Sequence, residues 1–399
     1  MALDVDRLRS DFPALASGIA FFDAPGGTQM PSPVIEAIGA ALRAPLANRG
    51  HDNQAQRNAE LIVTEARRAM SDFTGAEPSG VVFGRSATQL TFDLARTLAR
   101  DWRPGDEVVV TRLDHDANIR PWVRVAQTVG ATVRWAAFDP ATAELGVEHL
   151  AGLLSPRTRL VAVTGASNLL GTRPDLPQLA ERVHGVGARL WIDAVHLAAH
   201  ARLGVTALGA DFLVCSPYKF LGPHHGVLVA APDLLATLRP DKLLPSSDAV
   251  PERFELGTLP YELLAGTTAA VNYLAQLGGH AGSRAERLTR SYAMLHDHEV
   301  DLRRHLEGGL AELGALVYSR AGQRTSTVLF DLPGHSSGAV ANHLAADRVN
   351  APAGSFYAIE TSRHLGLGDH GAVRVGLAPY STHDEVDRLL ASLGAVERG

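Results

Sequence analysis

The chain has 399 residues, 46% of them hydrophobic, 20% charged and 6% aromatic, which allows one large domain or two to three smaller ones and excludes global disorder. The formal net charge of −6 offers no basic surplus for nucleic acid or an anionic membrane, and the single cysteine, Cys215, cannot form an internal disulfide or a thiolate metal cage. The charged start MALDVDRLRSDFP lacks the apolar core of a signal peptide and no run of about 18 apolar residues occurs, so a cytoplasmic globular protein without a metal is expected.

Seven short runs read as strands: Gly80–Phe83, Glu107–Thr111, Ala131–Phe138, Arg159–Thr164, Arg189–Asp193, Asp211–Ser216 and Gly226–Ala230. Being continuously apolar rather than alternating, they predict burial on both faces. Helix-like stretches at Ala87–Ala99, Arg120–Val129 and Leu176–Val186 lie between them, and this alternation predicts βαβ units in a mainly parallel α/β sheet. Ligands of such sheets sit at the carboxyl ends of the strands, so polar residues just after a strand come first. After Gly278-Gly279 the texture changes. A long charged helix-like stretch, Ser283–Leu313, is followed by a strand-like Thr325–Phe330 and a helix-like Ser337–Asp347. A glycine-containing loop, a strand-like Ala372–Gly376 and a helix-like Thr382–Leu393 complete what reads as a smaller α+β domain.

Chemistry is densest over Leu190–Ala230, which contains WIDAVHLAAH and ADFLVCSPYKFLGPHHGVLVA. Asp193 ends one predicted strand and Lys219 follows the next, so both project from one sheet edge. Partial desolvation lowers a lysine's pKa and frees a nucleophilic amine for Schiff-base chemistry, while a carboxylate beside a pyridine nitrogen keeps that nitrogen protonated. On spacing alone, an interdomain ion pair or two unrelated surface charges account for these residues equally well.

The segments RLRSDFPAL, IAFFDAPGGTQMPSPVIEAI, FGRSATQLTFDLA, LDHDANIRPW, ASNLLGT, the lysine segment, RFELGT and VRVGLAPYSTHDEVDRLLASL occur in that order. Together they resemble the class V, fold-type I pyridoxal-5′-phosphate enzymes, and within them the cysteine desulfurase and selenocysteine lyase group. The resemblance implies a mainly parallel seven-stranded sheet flanked by helices in a large domain over residues 26–280, a small α+β domain over 281–399, and an N-terminal segment, 1–25, packing with the small domain. It implies Lys219 as the Schiff-base lysine, Asp193 as partner of the pyridinium nitrogen and His115 as the histidine stacked on the ring. His196 stands where many relatives have glutamine, near the cofactor's phenolic oxygen, and Asn168 falls near substrate and cofactor. Ser86, Ala87 and Thr88 match the phosphate cup, with alanine in place of one threonine. Ser216 and Tyr218 match the phosphate contacts before the lysine, with tyrosine in a histidine's place. Gly257-Thr258 matches a dipeptide supplied by the neighbouring protomer, implying a homodimer with shared sites. Arg374 matches the arginine that holds the substrate α-carboxylate, a role suited to a planar, permanently charged fork. Asn118 and His364 are weaker candidates for the rim.

One departure matters. A cysteine desulfurase carries its persulfide on a mobile-loop cysteine, and the corresponding stretch here, Val349–Ile359 (VNAPAGSFYAI), has none. Cys215 lies inside a predicted strand and reads as a buried apolar filler. The expected activity is therefore C–S β-elimination from cysteine or a cysteine conjugate through the Lys219 aldimine, without a protein persulfide. Transamination or epimerisation by the same cofactor grip, and a non-catalytic binding protein, are the alternatives. Phe356 and Tyr357 suit either an apolar pocket wall or a core contact.

Overall fold

The computed structural model describes residues 3–396, so residues 1–2 and 397–399, at the ends of the expected first and last segments, lie outside the described residues. Seven strands make the main sheet: β1 (Val81–Gly84), β2 (Glu107–Thr111), β3 (Thr132–Ala136), β4 (Thr158–Thr164), β5 (Arg189–Asp193), β6 (Phe212–Cys215) and β7 (Gly226–Ala230). Their spatial order is β1-β7-β6-β5-β4-β2-β3. All neighbours are parallel except β7, which runs antiparallel to both β1 and β6.

Alternate residues of one strand feed two separate apolar layers. Val109, Leu190, Ile192, Leu213 and Val229 enter one layer, whereas Val108, Val110, Trp191, Val214 and Leu228 enter the other. Burial on both faces is what continuous apolar runs produce in a sheet covered by helices. The run at Ala131–Phe138 departs from this: β3 is the sheet edge, and along TVRWA the side chains alternate between exposed and partly buried until Ala136.

The smaller sheet is antiparallel, with strands β8 (Leu316–Val317), β9 (Thr327–Asp331), β10 (Ala353–Gly354) and β11 (Ala372–Gly376) in the order β10-β11-β9-β8. Its own apolar cluster joins Val328, Phe330, Val373 and Val375 to Leu302, Leu306 and Leu310 of the helix Arg284–Glu312. That helix starts at a capping box, in which Ser283 and Glu286 each satisfy the other's backbone N–H. The N-terminal segment bridges the two parts. Ala20–Phe21 pairs in parallel with Val349–Asn350, and Ala20 and Phe22 join the small cluster, but Leu8 and Phe12 belong to the large one. No helix among the described residues is long and apolar enough to cross a membrane.

Candidate active site

The carboxyl ends of β4, β5 and β6 meet the starts of the helices Ala87–Leu98 and Leu197–His200 around a cavity of about 670 Å³. Asp193 is the last residue of β5, in register with Thr164 on one side and Val214 on the other. Its Oδ1 accepts from the Val195 N–H at 2.9 Å. Burial pushes the carboxyl up to about 6, against the opposing pull of that hydrogen bond and of Lys219.

Lys219 follows β6 in the short turn Pro217–Lys219 and is 8% exposed. Its amine donates to the carbonyls of Pro25 and Gly26, the latter at 3.1 Å, rather than to Asp193. An interdomain ion pair is therefore not what holds it. Burial, helped by Arg374 and resisted by Asp23 and Asp193, brings the ammonium down to about 7, so a neutral amine is accessible near physiological pH. His115 accepts from the Ala117 N–H at Nδ1 (3.0 Å), which places the ring proton on Nε2. Burial and the charges of Lys219 and Arg374 hold this imidazole neutral, at about 4.

His196 is buried, with Nε2 2.9 Å from Thr327 Oγ1 and 3.1 Å from Thr325 Oγ1, and burial holds it neutral too. Arg374, on β11, is 1% exposed; it pairs with Asp23 and donates from Nη1 to the Asn168 carbonyl at 3.2 Å. The Phe356 ring covers the guanidinium, with Cζ 3.6 Å from the ring centroid. Phe356 and Tyr357 both hold left-handed φ, 50° and 60°, a strained pair for non-glycine residues. Two hydrogen bonds pin them: Asn168 Nδ2 donates to the Phe356 carbonyl (2.9 Å) and the Asp116 N–H to that of Tyr357 (2.8 Å).

Ser86 caps the helix Ala87–Leu98, its Oγ accepting from the Gln89 N–H at 3.0 Å, and the first-turn N–H groups of Ala87 and Thr88 are left for an anion. Gly226 makes this possible: a Cβ there would sit 2.3 Å from the Ser86 carbonyl carbon. Ser216 and Tyr218 line the same cavity; the phenol, whose pKa burial raises, stays a neutral donor, stacked on His224 at 4.6 Å.

Over residues 20–389 the chain matches the family model described as Aminotransferase class-V. It is 35% identical to an uncharacterized protein of Mycobacterium tuberculosis, over 99% of this chain and 100% of that one. It is 31% identical to the cysteine desulfurase of Dickeya dadantii over 99% and 97% of the two chains. Its fold matches the apo cysteine desulfurase of Thermococcus onnurineus with a TM-score of 0.89, 26% identity and coverage of 98% and 97%. The chain belongs to the class V aminotransferase family. It is a fold-type I, pyridoxal-phosphate-dependent enzyme related to the cysteine desulfurases.

The cavity suits this class V cofactor on its own terms. Asn168 Oδ1, His196 Nδ1 and Arg374 Nε are buried without a hydrogen-bond partner among the described residues, and all three residues line it. Buried polar atoms left bare in this way call for a polar ligand. A helix N-terminus for a phosphate, an amine near neutrality for an aldehyde and a carboxyl for a ring nitrogen complete the donor set.

Gly257-Thr258, expected to serve a neighbouring protomer, is exposed and lies outside the cavity of this chain. Two expectations are placed elsewhere. Asn118 is fully buried and donates to Asp114 at 2.7 Å, because the carboxyl of Asp114 lies under the site and needs donors. His364 is turned away from the cavity, donating to the Phe138 carbonyl at 2.8 Å with its ring edge-on to Phe138. Two residues were missed. Asp23 sits inside FFDAPGG, where nothing in the letters marks it as the partner of Arg374. Asp114, pushed up to about 8 mainly by burial, is adjacent to His115 and reads in sequence as an ordinary loop acid.

Proposed function

We propose that this enzyme is a C–S β-lyase of cysteine or a cysteine conjugate that works without a protein persulfide, as a homodimer with shared sites. The observation that carries the reading is the contrast between Lys219 and Cys215. Lys219 offers an amine near neutrality inside the cavity, whereas Cys215, the only cysteine of the sequence, is wholly buried in β6, where desolvation raises its thiol pKa. A thiol in that state is not a sulfur acceptor.

In this reading Lys219, Asp193, His115 and His196 hold the cofactor ring. Ser86, Ala87, Thr88, Ser216 and Tyr218 take its phosphate, with Gly257 and Thr258 reaching the site of a second copy. Bound pyridoxal phosphate supplies an electron sink for the pair left when a Cα–H bond breaks. Arg374 and Asn168 orient the substrate by its α-carboxylate. Lys219, once neutral, takes the Cα proton, and the near-neutral acidity of its amine suits it to return one. Asp193 keeps a negative charge beside the ring nitrogen. The neutral Nε2–H of His115 donates a hydrogen bond without adding a positive charge. The β-sulfur then leaves as a thiol, so that cysteine and water give pyruvate, ammonia and hydrogen sulfide.

Three leucines exposed along one segment, Leu243, Leu244 and Leu256, favour a second copy over that face, beside the Gly257-Thr258 turn. The test is product analysis. Loaded enzyme is incubated with cysteine and with S-substituted cysteines, and pyruvate, ammonia and thiol are quantified. Equal molar amounts of the three support elimination. An amino group transferred to an added 2-oxo acid replaces the proposal with transamination, and Cα–H exchange without bond cleavage replaces it with epimerisation.

A further inference from the structure

Behind the cavity, in the seam between the two parts of the chain, lies an acid–base pair that the proposed chemistry does not use. Glu299, on the helix Arg284–Glu312, and His200, at the end of the helix Leu197–His200, are 3% and 5% exposed. Glu299 Oε2 sits 2.7 Å from His200 Nδ1 and accepts from Ser326 Oγ at 3.0 Å. Burying these polar groups strips them of water, a burden a purely apolar seam would avoid.

Neither residue is satisfied. Glu299 Oε1 and His200 Nε2 are both buried with no partner among the described residues. Two cavities, each of about 10 Å³, room for the centre of one water, adjoin the pair, and Glu299 and His200 line both. The inner one is also lined by Lys219 and Thr28. The outer one is also lined by Arg173, Arg324 and His296, of which His296 is exposed. As an ammonium, Lys219 spends two of its three donors on Pro25 and Gly26 and keeps one. The other titratable neighbours of the pair are His196, whose ring lies 4.7 Å from that of His200, together with Arg303, His298 and Tyr292 along the helix of Glu299.

We infer that Glu299 and His200, each completed by a single water, form a proton relay between Lys219 and the solvent beside His296, by a route separate from the substrate cavity. A proton leaving the Lys219 nitrogen passes to the inner water, which passes one to the pair, and the pair releases one to the outer water. The reverse sequence returns a proton to the lysine, and no electrons move. The inference rests on Lys219 being the cofactor's lysine.

The experiment is a stopped-flow pH jump followed by the visible absorbance of the cofactor-loaded protein, for wild type, Glu299→Gln and Glu299→Asp, with Lys219→Ala as reference. Removing the Glu299 carboxylate should slow the relaxation of the Lys219-dependent band by about a hundredfold, the low end of what a positioned proton-transfer group contributes. Glu299→Asp should restore most of the rate. A pair that only holds the seam together would lower the melting temperature of Glu299→Gln and leave its relaxation rate on the wild-type value, and that result overturns the relay. Should Glu299→Gln not fold, His200→Gln is read the same way. A wild-type protein with no Lys219-dependent band overturns the cofactor assignment along with the relay, whereas a normal band with coincident relaxation rates overturns the relay alone.

Discussion

The ion pair between Arg374 and Asp23 sets a condition on substrate binding. Arg374 is buried with one nitrogen given to Asp23, one to the Asn168 carbonyl and Nε to nothing. A carboxylate arriving from substrate must share or replace Asp23, so Asp23→Asn should act in two opposite directions. Without ligand, a buried guanidinium loses its countercharge. Breaking such a pair costs about 3–5 kcal/mol when both partners are buried, and the 29% exposure of the Asp23 side chain brings the expectation to the lower end. With ligand, the freed fork gains a charge-assisted hydrogen bond worth about 1.5–3 kcal/mol, which is roughly ten- to a hundred-fold in affinity. The assay is thermal denaturation of both proteins across a titration of a simple amino acid, since a ligand that binds only the folded state stabilises in proportion to its affinity. The variant should melt lower than wild type without ligand and recover more of the difference as ligand rises. Equal ligand-induced shifts in the two proteins would refute the competition.

Three further outcomes are expected. In the cofactor-free protein Lys219→Met should raise stability at neutral pH. The folded-state pKa of about 7 lies below the ordinary lysine value, so the unfolded chain binds the extra proton. The wild-type penalty is full below about pH 7 and fades as pH climbs toward the unfolded value, and the melting difference between the proteins should narrow in step. Cys215→Ala should leave pyruvate formation unchanged while costing about 1–2 kcal/mol of stability in denaturant unfolding, since it empties part of a packed layer; loss of turnover in a folded variant would restore a role for the thiol. Gly226→Ala should weaken cofactor retention on dialysis, because a Cβ 2.5 Å from the Ala87 nitrogen must push the helix start off its position.

Much of this architecture is legible in the letters because it repeats. Each of the seven expected strands appears, and Glu107–Thr111, Arg189–Asp193 and Gly226–Ala230 do so with the expected ends, as does Ala372–Gly376 of the smaller sheet. The helices Ser32–Arg43, Gln54–Thr74 and Tyr261–Leu277 went unread. Tyr261–Leu277 packs against the other two and against Arg284–Glu312, so it is apolar on most of its circumference and shows no single stripe. The residues of the site were legible where a motif carries them, as with Lys219, Asp193 and Arg374. Asp23 and Glu299 were not, because each acts on a partner hundreds or about a hundred positions away, and no local pattern records such a meeting. Asn118 was misplaced for the same reason: its motif neighbour His115 faces the cavity, while its own side chain turns inward to Asp114.

The division of β5 between two apolar layers has a consequence for how this protein tolerates change in length. Leu190 and Ile192 enter one layer and Trp191 the other, and Asp193 is reached by counting along that strand. Inserting or deleting a single residue before Asp193 would exchange the two faces and carry the carboxyl away from the cavity edge. Loops at the opposite ends of the other parallel strands can change length without moving it. Indels in descendants of this chain should therefore gather at the amino ends of the parallel strands and be rare within β5, whatever substrate those descendants come to use.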